Sequence, residues 1–363
     1  MPAPTTPFQP YASLHTTLDG PGDARPTALQ IIKDSNLLGS GLKGKSILIT
    51  GCSSGIGVET ARALYAAGAT LYLTARDIPK LEKVIDDIVA NPTGEAKDAT
   101  FKTAQGVPRP VTIELHLDSL AGVRKGIAEF EAKSKGELNI LIENAGVMAC
   151  PYNLTVDGLE TQIGTNHFAH FVLFQAVKPL LLATAEKTNT LSRVVTVSSA
   201  GHRFGGINFD DIHYTADPSK YSKWGAYGQS KTANIYLANA IHRRYGNKGL
   251  TALSVHPGGI MTELGRHLDE ADVKQLAPGG WDDFAKIFKN PEQGAATTVW
   301  AAVSAHFDDV KNGGRYCADV GECGPAPAEA APGANGYAPH AYDEASEEKL
   351  WKLSCETVGI KDE

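Results

Sequence analysis

The sequence predicts an α/β protein with a doubly wound parallel sheet, and three observations predict it. Short apolar runs recur along the chain without in-out alternation, as strands buried on both faces require. Segments with helical spacing separate them, which is the pattern of strand, helix, strand in one layered domain. The first run also opens into a glycine-rich turn leading straight into a helix. In open α/β sheets, ligands gather at that carboxyl edge.

Residues 1–43 are rich in Pro, Thr, Gly and Asp, with one apolar patch at Leu29, Ile31 and Ile32. They read as an N-terminal arm, either lying on the domain or partly disordered. The regular pattern begins near Lys45. Ser46–Thr50 is the first strand, and a helix is expected over Glu59–Ala67, closed by Gly68. Ala69–Thr74 is the next strand and Leu81–Ala90 the next helix. Further strands are expected at Val111–Leu117, Ile140–Glu143, Arg193–Val197 and Thr251–Val255. Helices are expected around 120–133, 157–183, 226–245 and 292–303. Residues 44–320 thus read as a single domain. Its departures from a simple repeat are a polar insertion at 91–110 and a long connection at 202–224. A C-terminal extension, 321–363, is Ala/Pro/Gly-rich to about 343 and ends in a short helix, Ala345–Thr357. No internal repeat is present.

With 363 residues and 42% hydrophobic content, the chain can bury a full core. A net charge of -7 and the lack of any Lys/Arg-rich run argue against nucleic acid as a partner. Five cysteines without a Cys-x-x-Cys pair read as reduced thiols, so a cytoplasmic location is expected. The N-terminus carries no targeting pattern, and no uninterrupted apolar run approaches the ~20 residues of a membrane span.

Thr50-Gly51-Cys52-Ser53-Ser54-Gly55-Ile56-Gly57 lies between the first strand and first helix. Glycines there let backbone approach a pyrophosphate that sits on the positive end of the helix. The second strand ends Thr74-Ala75-Arg76-Asp77. An acidic residue at that end would bond the ribose hydroxyls of NAD, but Ala75 and Arg76 stand there instead. Arginine can pair with a 2′-phosphate, so the cofactor reads as NADP(H). Further on, Tyr227-Gly228-Gln229-Ser230-Lys231 places Tyr and Lys four apart on one helix face. A nearby ammonium should lower the phenol's pKa from its usual value near 10 towards the working range, making it a proton donor or acceptor.

The Gly-x-x-x-Gly-x-Gly spacing, together with this Tyr-x-x-x-Lys, resembles the classical short-chain dehydrogenase/reductase family, whose fold is the Rossmann sheet. The resemblance covers roughly 44–320. It implies that Asp118 holds the adenine amino group, and that Asn144-Ala145-Gly146 lies beside the adenosine ribose and the sheet. Glu143 stands where the family usually has Asn. Pro257-Gly258-Gly259-Ile260-Met261-Thr262 corresponds to the loop gripping the nicotinamide carboxamide. Of Ser198 and Ser199, the second takes the family's carbonyl-polarising role and the first is structural. Asn166 corresponds to a helical Asn supporting a proton relay through water to the lysine. Lys231 is expected to bond the nicotinamide ribose as well as tune Tyr227. The cofactor-binding set is therefore Gly51, Ser53, Ser54, Gly55, Ile56, Gly57, Arg76, Asp118, Asn144, Ala145, Gly146, Tyr227, Lys231, Pro257, Gly258, Ile260 and Thr262. The catalytic set is Asn166, Ser199, Tyr227 and Lys231.

Asp157-Gly158-Leu159-Glu160, Ser198-Ser199-Ala200-Gly201-His202 and Gly314-Arg315-Tyr316-Cys317 resemble the branch of retinol dehydrogenases and WW-domain-containing oxidoreductases. That implies interconversion of a ketone or aldehyde and an alcohol on a fairly apolar small molecule; a homodimer stays open. Phe204, Tyr221, Trp224, Trp281 and Phe284 are the aromatics expected near the pocket, some of them only packing the inserted loop. His202 either reaches substrate or sits in water. His167 and His170 lack ligand-spaced partners and read as helix packing rather than a metal site. Two other functions compete: a dinucleotide-sensing scaffold without turnover, and a nucleotide-sugar epimerase or dehydratase. The presence of Tyr227 and Lys231 weighs against the first, and the glycine spacing weighs against the second.

Overall fold

The structure, a computed structural model, describes residues 6–94, 106–276, 280–327 and 335–362. Parts of the expected arm (1–5), insertion (95–105) and C-terminal tail (328–334) lie outside the described residues. In chain order the helices are α1 Ala28–Asp34, α2 Ile56–Ala66, α3 Ile78–Ala90, α4 Leu120–Lys133, α5 Thr161–Ile163 and α6 Ala169–Thr188, followed by α7 Lys223–Tyr245, α8 Glu270–Leu276, α9 Trp281–Ile287, α10 Pro291–Gly294, α11 Ala296–Val303 and α12 Glu344–Val358. The strands are β1 Ser46–Ile49, β2 Thr70–Ala75, β3 Val111–Glu114, β4 Ile140–Glu143, β5 Ser192–Val197, β6 Leu250–His256, β7 Tyr316–Ala318 and β8 Gly321–Glu322.

Among the described residues, these eight strands form one sheet in the order β3-β2-β1-β4-β5-β6-β7-β8. It is parallel throughout except for the β7–β8 hairpin. Alternate residues of each strand serve opposite faces, and both faces are buried. Leu48, Tyr72 and Leu141 join α4, α6, α7 and α12 on one side. Ile47, Ile49, Leu71 and Ile142 join α1, α2, α3 and α11 on the other. This double burial is why the strands read as continuous apolar runs.

The two halves of the chain reverse strand order between β1 and β4, which opens a crevice at the carboxyl edge. Several elements begin earlier than periodicity suggested. α2 starts at Ile56, directly from Gly55, and not at Glu59. α7 starts at Lys223 because Ser222 caps it, accepting from Gly225 N. The long helix starts later than expected, at Thr161, because the Glu160 carboxylate caps it by accepting from Gln162 N and Ile163 N, while the Asp157 carboxylate is spent on Leu120 N. From there it runs through a π-helical turn, Gly164–Phe168, to Thr188. The strand expected to reach Leu117 ends at Glu114, and the helix expected at 292–303 is two, α10 and α11.

Helix 161–188 is long and apolar enough to cross a bilayer, with mean hydropathy 1.5 over its best window. Here Phe168, Phe171 and Phe174 are fully buried in the core, against Trp351 of α12 among other neighbours.

β7, β8, α8 and α9 were not expected from the sequence pattern, and two further features tie down the N-terminal arm. α1, capped by Thr27, buries Ala28, Ile31 and Ile32 in the core face formed with α2 and α11. The segment at Phe8 and Gln9 borders β8: Glu322 N donates to Phe8 O at 2.9 Å, and Phe8 N donates to the Glu322 carboxylate at 3.1 Å.

Candidate active site

The carboxyl ends of β1, β2, β4, β5 and β6 open into one cavity of about 1200 Å³. Every residue expected at the cofactor end borders it, as do Ser199, Tyr227 and Lys231. Asn166 stands behind the wall.

The glycine loop is held from below by Asn144, whose Nδ2 donates to Thr50 O at 2.9 Å and Gly51 O at 3.1 Å. Gly57 cannot be anything larger, because a Cβ there would overlap Gly51 O. Thr50 Oγ1 accepts from Asn144 N and Ala145 N, both at 3.0 Å. Its own proton therefore goes to His170 Nε2, 2.9 Å away. The His170 Nδ1–H is then left to donate to Asn166 O at 3.0 Å. One hydrogen-bonded chain thus ties the glycine loop to the π-helical turn. Burial pushes His170 down to about 4, which keeps it neutral in this role.

Asn166 is fully buried. Its Oδ1 accepts from Val147 N at 2.8 Å, and its Nδ2 donates to Val147 O and Ser230 Oγ, both at 2.9 Å. The backbone of Gly146 passes between Asn166 and Lys231: a Cβ there would sit 3.0 Å from Asn166 Oδ1 and 3.5 Å from Lys231 Nζ.

Ser199 follows β5, and its Oγ accepts from Gly201 N at 3.0 Å. Tyr227 and Lys231, both 4% exposed, lie a turn apart on α7. Lys231 Nζ is 5.6 Å from the Tyr227 ring centroid and donates to Val197 O at 2.9 Å. Ser198 Oγ donates to Lys231 O at 2.7 Å, a structural bond. The expected lowering of the Tyr227 pKa is not what the protein itself supplies. Burial pushes the phenol up to about 12, partly opposed by its hydrogen bond with Ser199, and burial pulls Lys231 down to about 7. Both groups are biased towards neutrality, so the phenol is held as a proton donor.

At the other end, Arg76 is 63% exposed, and its Nη1 lies 3.8 Å from Asp118 Oδ2 across the cavity rim. Such a loose, solvated pair contributes little by itself. Thr262 packs against Gly55, while Gly258 abuts Lys289, which is paired with Asp319 at 2.6 Å.

Of the expected aromatics, Phe204, Trp224, Trp281 and Phe284 border the cavity. Tyr221 does not. Its hydroxyl donates to Cys150 O and its ring meets Tyr152 and Tyr214, so it packs the inserted loop. Neither reading of His202 holds. It is fully buried, with Nε2 accepting from Ala338 N at 3.0 Å and Nδ1 paired with Ser199 O at 2.6 Å. It therefore ties the C-terminal segment to the backbone of Ser199. His167 and His170 do pack the helix: His167 Nε2 bonds Ser354 Oγ of α12 at 2.8 Å. Phe288, Lys289, Asp319 and, from the arm, Leu18 and Arg25 also border the cavity and were missed. Phe288 continues the spacing of Trp281 and Phe284 and could have been found; the others carry no local signal.

A cradle that excludes a Cβ, at the N-terminus of the eleven-residue α2, with a cation at its rim, fits a phosphorylated dinucleotide. Residues 45–273 match the short chain dehydrogenase family. The chain is 40% identical to the "Short-chain dehydrogenase/reductase prx1" of Penicillium roqueforti, over 97% of this chain and 96% of that one. It is 34% identical to human "Retinol dehydrogenase 12", over 88% of each. A solved structure of an uncharacterized protein from Mycobacterium paratuberculosis superposes with a TM-score of 0.62 at 31% identity, covering 90% of this chain and 97% of that one.

Proposed function

The chain belongs to the short-chain dehydrogenase/reductase family, and we propose that it is an NADP(H)-dependent enzyme interconverting an apolar or aromatic ketone or aldehyde with its alcohol. The observation that carries this reading is the meeting of Ser199, Tyr227 and Lys231 on one cavity with the glycine cradle.

A nicotinamide dinucleotide held in this cavity would supply or take the hydride. Gly51, Ser53, Ser54, Gly55, Ile56 and Gly57 would hold the phosphates, Arg76 the 2′-phosphate and Asp118 the adenine, with Asn144-Ala145-Gly146 backing the ribose. Pro257, Gly258, Ile260 and Thr262 would hold the carboxamide end. Ser199 Oγ polarises the substrate oxygen. Tyr227 Oη donates its proton to the oxygen as negative charge develops there. Lys231, placed behind the phenol ring, would bond the nicotinamide ribose, and as an ammonium it lowers the cost of the phenolate that Tyr227 leaves. Asn166 braces the loop at Gly146 from behind. The aromatic wall of Trp224, Trp281 and Phe284 suits an apolar substrate, in keeping with the name of the retinol dehydrogenase relative. Five free, buried cysteines suit a reducing, cytoplasmic setting.

The test is a scan of aromatic and aliphatic aldehydes and ketones with NADPH and NADH, following nicotinamide absorbance, with Tyr227→Phe as control. Loss of the general acid should lower turnover by about 10²–10⁴. No oxidation of NADPH with any carbonyl, or a Tyr227→Phe enzyme within a few-fold of wild type, overturns the assignment.

A further inference from the structure

The N-terminal arm reaches the far end of the cavity, and one buried cation joins it to the aromatic wall. Arg25 is 4% exposed. Its Nη1 donates to Ile287 O at 2.8 Å, and its Nη2 to Phe288 O at 2.5 Å and Gly20 O at 3.1 Å. Nε is held by Asp23 Oδ1 at 2.8 Å. The Ile287 and Phe288 carbonyls it captures are at the C-terminal end of α9, where a helix leaves its last C=O groups without partners. Gly20 N adds a bond to Lys286 O at 3.1 Å. Gln293 of α10 completes the stitch, its Nε2 donating to Arg25 O and its Oε1 accepting from Gly22 N.

What is stitched matters. α9 and the residue after it carry Trp281, Phe284 and Phe288, whose ring centroids lie 5.1–5.9 Å apart and which border the cavity. The next residue, Lys289, donates its N–H to Gly259 O at 2.8 Å and forms a parallel bridge with Ile260. The Lys289 backbone bonds thus set the aromatic wall in register with the loop that follows β6, and the guanidinium holds the end of α9. A lysine could not do this, since a point charge on a flexible stem does not span diverging carbonyls.

We propose that Arg25 is a positioning residue for substrate selection. By clamping the end of α9 it fixes the aromatic wall, so that the N-terminal arm helps decide which carbonyl compounds bind. The proposal rests on the cavity being the substrate site.

The experiment uses the full chain with Arg25→Lys and Arg25→Met. Hydrogen exchange of amides 284–289 should quicken by about tenfold or more in both variants, while amides of β1 and β5 keep their rates. KM for 2-naphthaldehyde should rise about tenfold, with kcat, KM for propanal and NADPH affinity each within about twofold of wild type. Unchanged exchange, or unchanged KM for the bulky aldehyde, overturns the proposal. So does an equal loss for both aldehydes and NADPH alongside a general fall in thermal stability. If wild type turns over neither aldehyde, the functional reading is decided separately by the wider carbonyl scan above. Arg25 is then judged by exchange and by tryptophan quenching with 2-naphthaldehyde, whose Kd must still rise about tenfold.

Discussion

Acidifying from pH 7 to 5.5 should destabilise this protein well before its carboxylates titrate. His167 and His256 are pushed down to about 3 by burial, and His170 and His202 to about 4. All four are buried, so the folded state keeps them neutral across this window while the unfolded chain, with histidines near 6.5, takes up protons. The unfolded state binding more protons means stability falls as pH falls. For each group the loss between pH 7 and 5.5 is about 1.2 kcal/mol, or roughly 5 kcal/mol for the four.

Glu143 works in the opposite sense. Burial holds its carboxyl well above the usual range, so it returns at most about 2 kcal/mol over the same interval. The other shifts largely offset one another: His242 falls to about 4 and His15 and His213 also move down, while Glu59 and Glu160 move up. A net loss of about 3 kcal/mol, against an unfolding entropy of about 0.8 kcal/mol/K for 363 residues, lowers Tm by about 4 °C. Differential scanning calorimetry at matched ionic strength reads this directly, with an uptake of about three protons on unfolding at pH 5.5. A Tm that is constant or rises on acidification would refute the reasoning, because the histidines would then not be held neutral.

Arg76→Ala should cost NADPH about tenfold in kcat/KM and leave NADH nearly unchanged, since one exposed charge-assisted contact is lost; Ala75→Asp should move preference further towards NADH. Equal harm to both cofactors would make Arg76 a mere surface residue. With Lys231 near 7, kcat/KM for reduction should fall above about pH 7 as the ammonium is lost. Lys231→Met should abolish that limb and weaken NADPH binding in a fluorescence titration. At Gly201 a Cβ would sit 2.8 Å from Tyr227 Cε1 and 3.3 Å from Ser199 Oγ. Gly201→Ala should therefore depress kcat by roughly tenfold or more while NADPH affinity holds, since small misplacements at the reacting centre are costly. An unchanged kcat would show that the ring has room to move.

The sheet and its ligand edge were legible because each rests on local pattern. Ile47–Ile49 and Val194–Val197 are apolar on both faces, Gly51–Gly57 is a turn that only glycines permit, and Tyr227 and Lys231 share a helix face through spacing alone. What stayed hidden depends on pairs far apart in sequence. His202 meets Ala338 and Arg25 meets Ile287, contacts that no window of residues can display. The direction of the Tyr227 shift was misread for a related reason. Proximity of an ammonium is visible in the sequence, whereas complete burial of both groups is a property of the packed fold.

The border between Phe8 and β8 has a consequence for handling the protein. An exposed terminal strand offers unpaired N–H and C=O groups to any other chain, and is a common start of edge-to-edge aggregation. Here the short β8 is engaged by the chain's own early residues, through backbone and carboxylate bonds at Glu322 and through Phe8 stacked on His306 at 4.3 Å. Trimming the first ten residues, as a cleavable fusion or an over-cautious expression design would do, strips that cover from the sheet. The resulting protein would keep its catalytic groups and lose colloidal solubility, a failure easily mistaken for misfolding of the core.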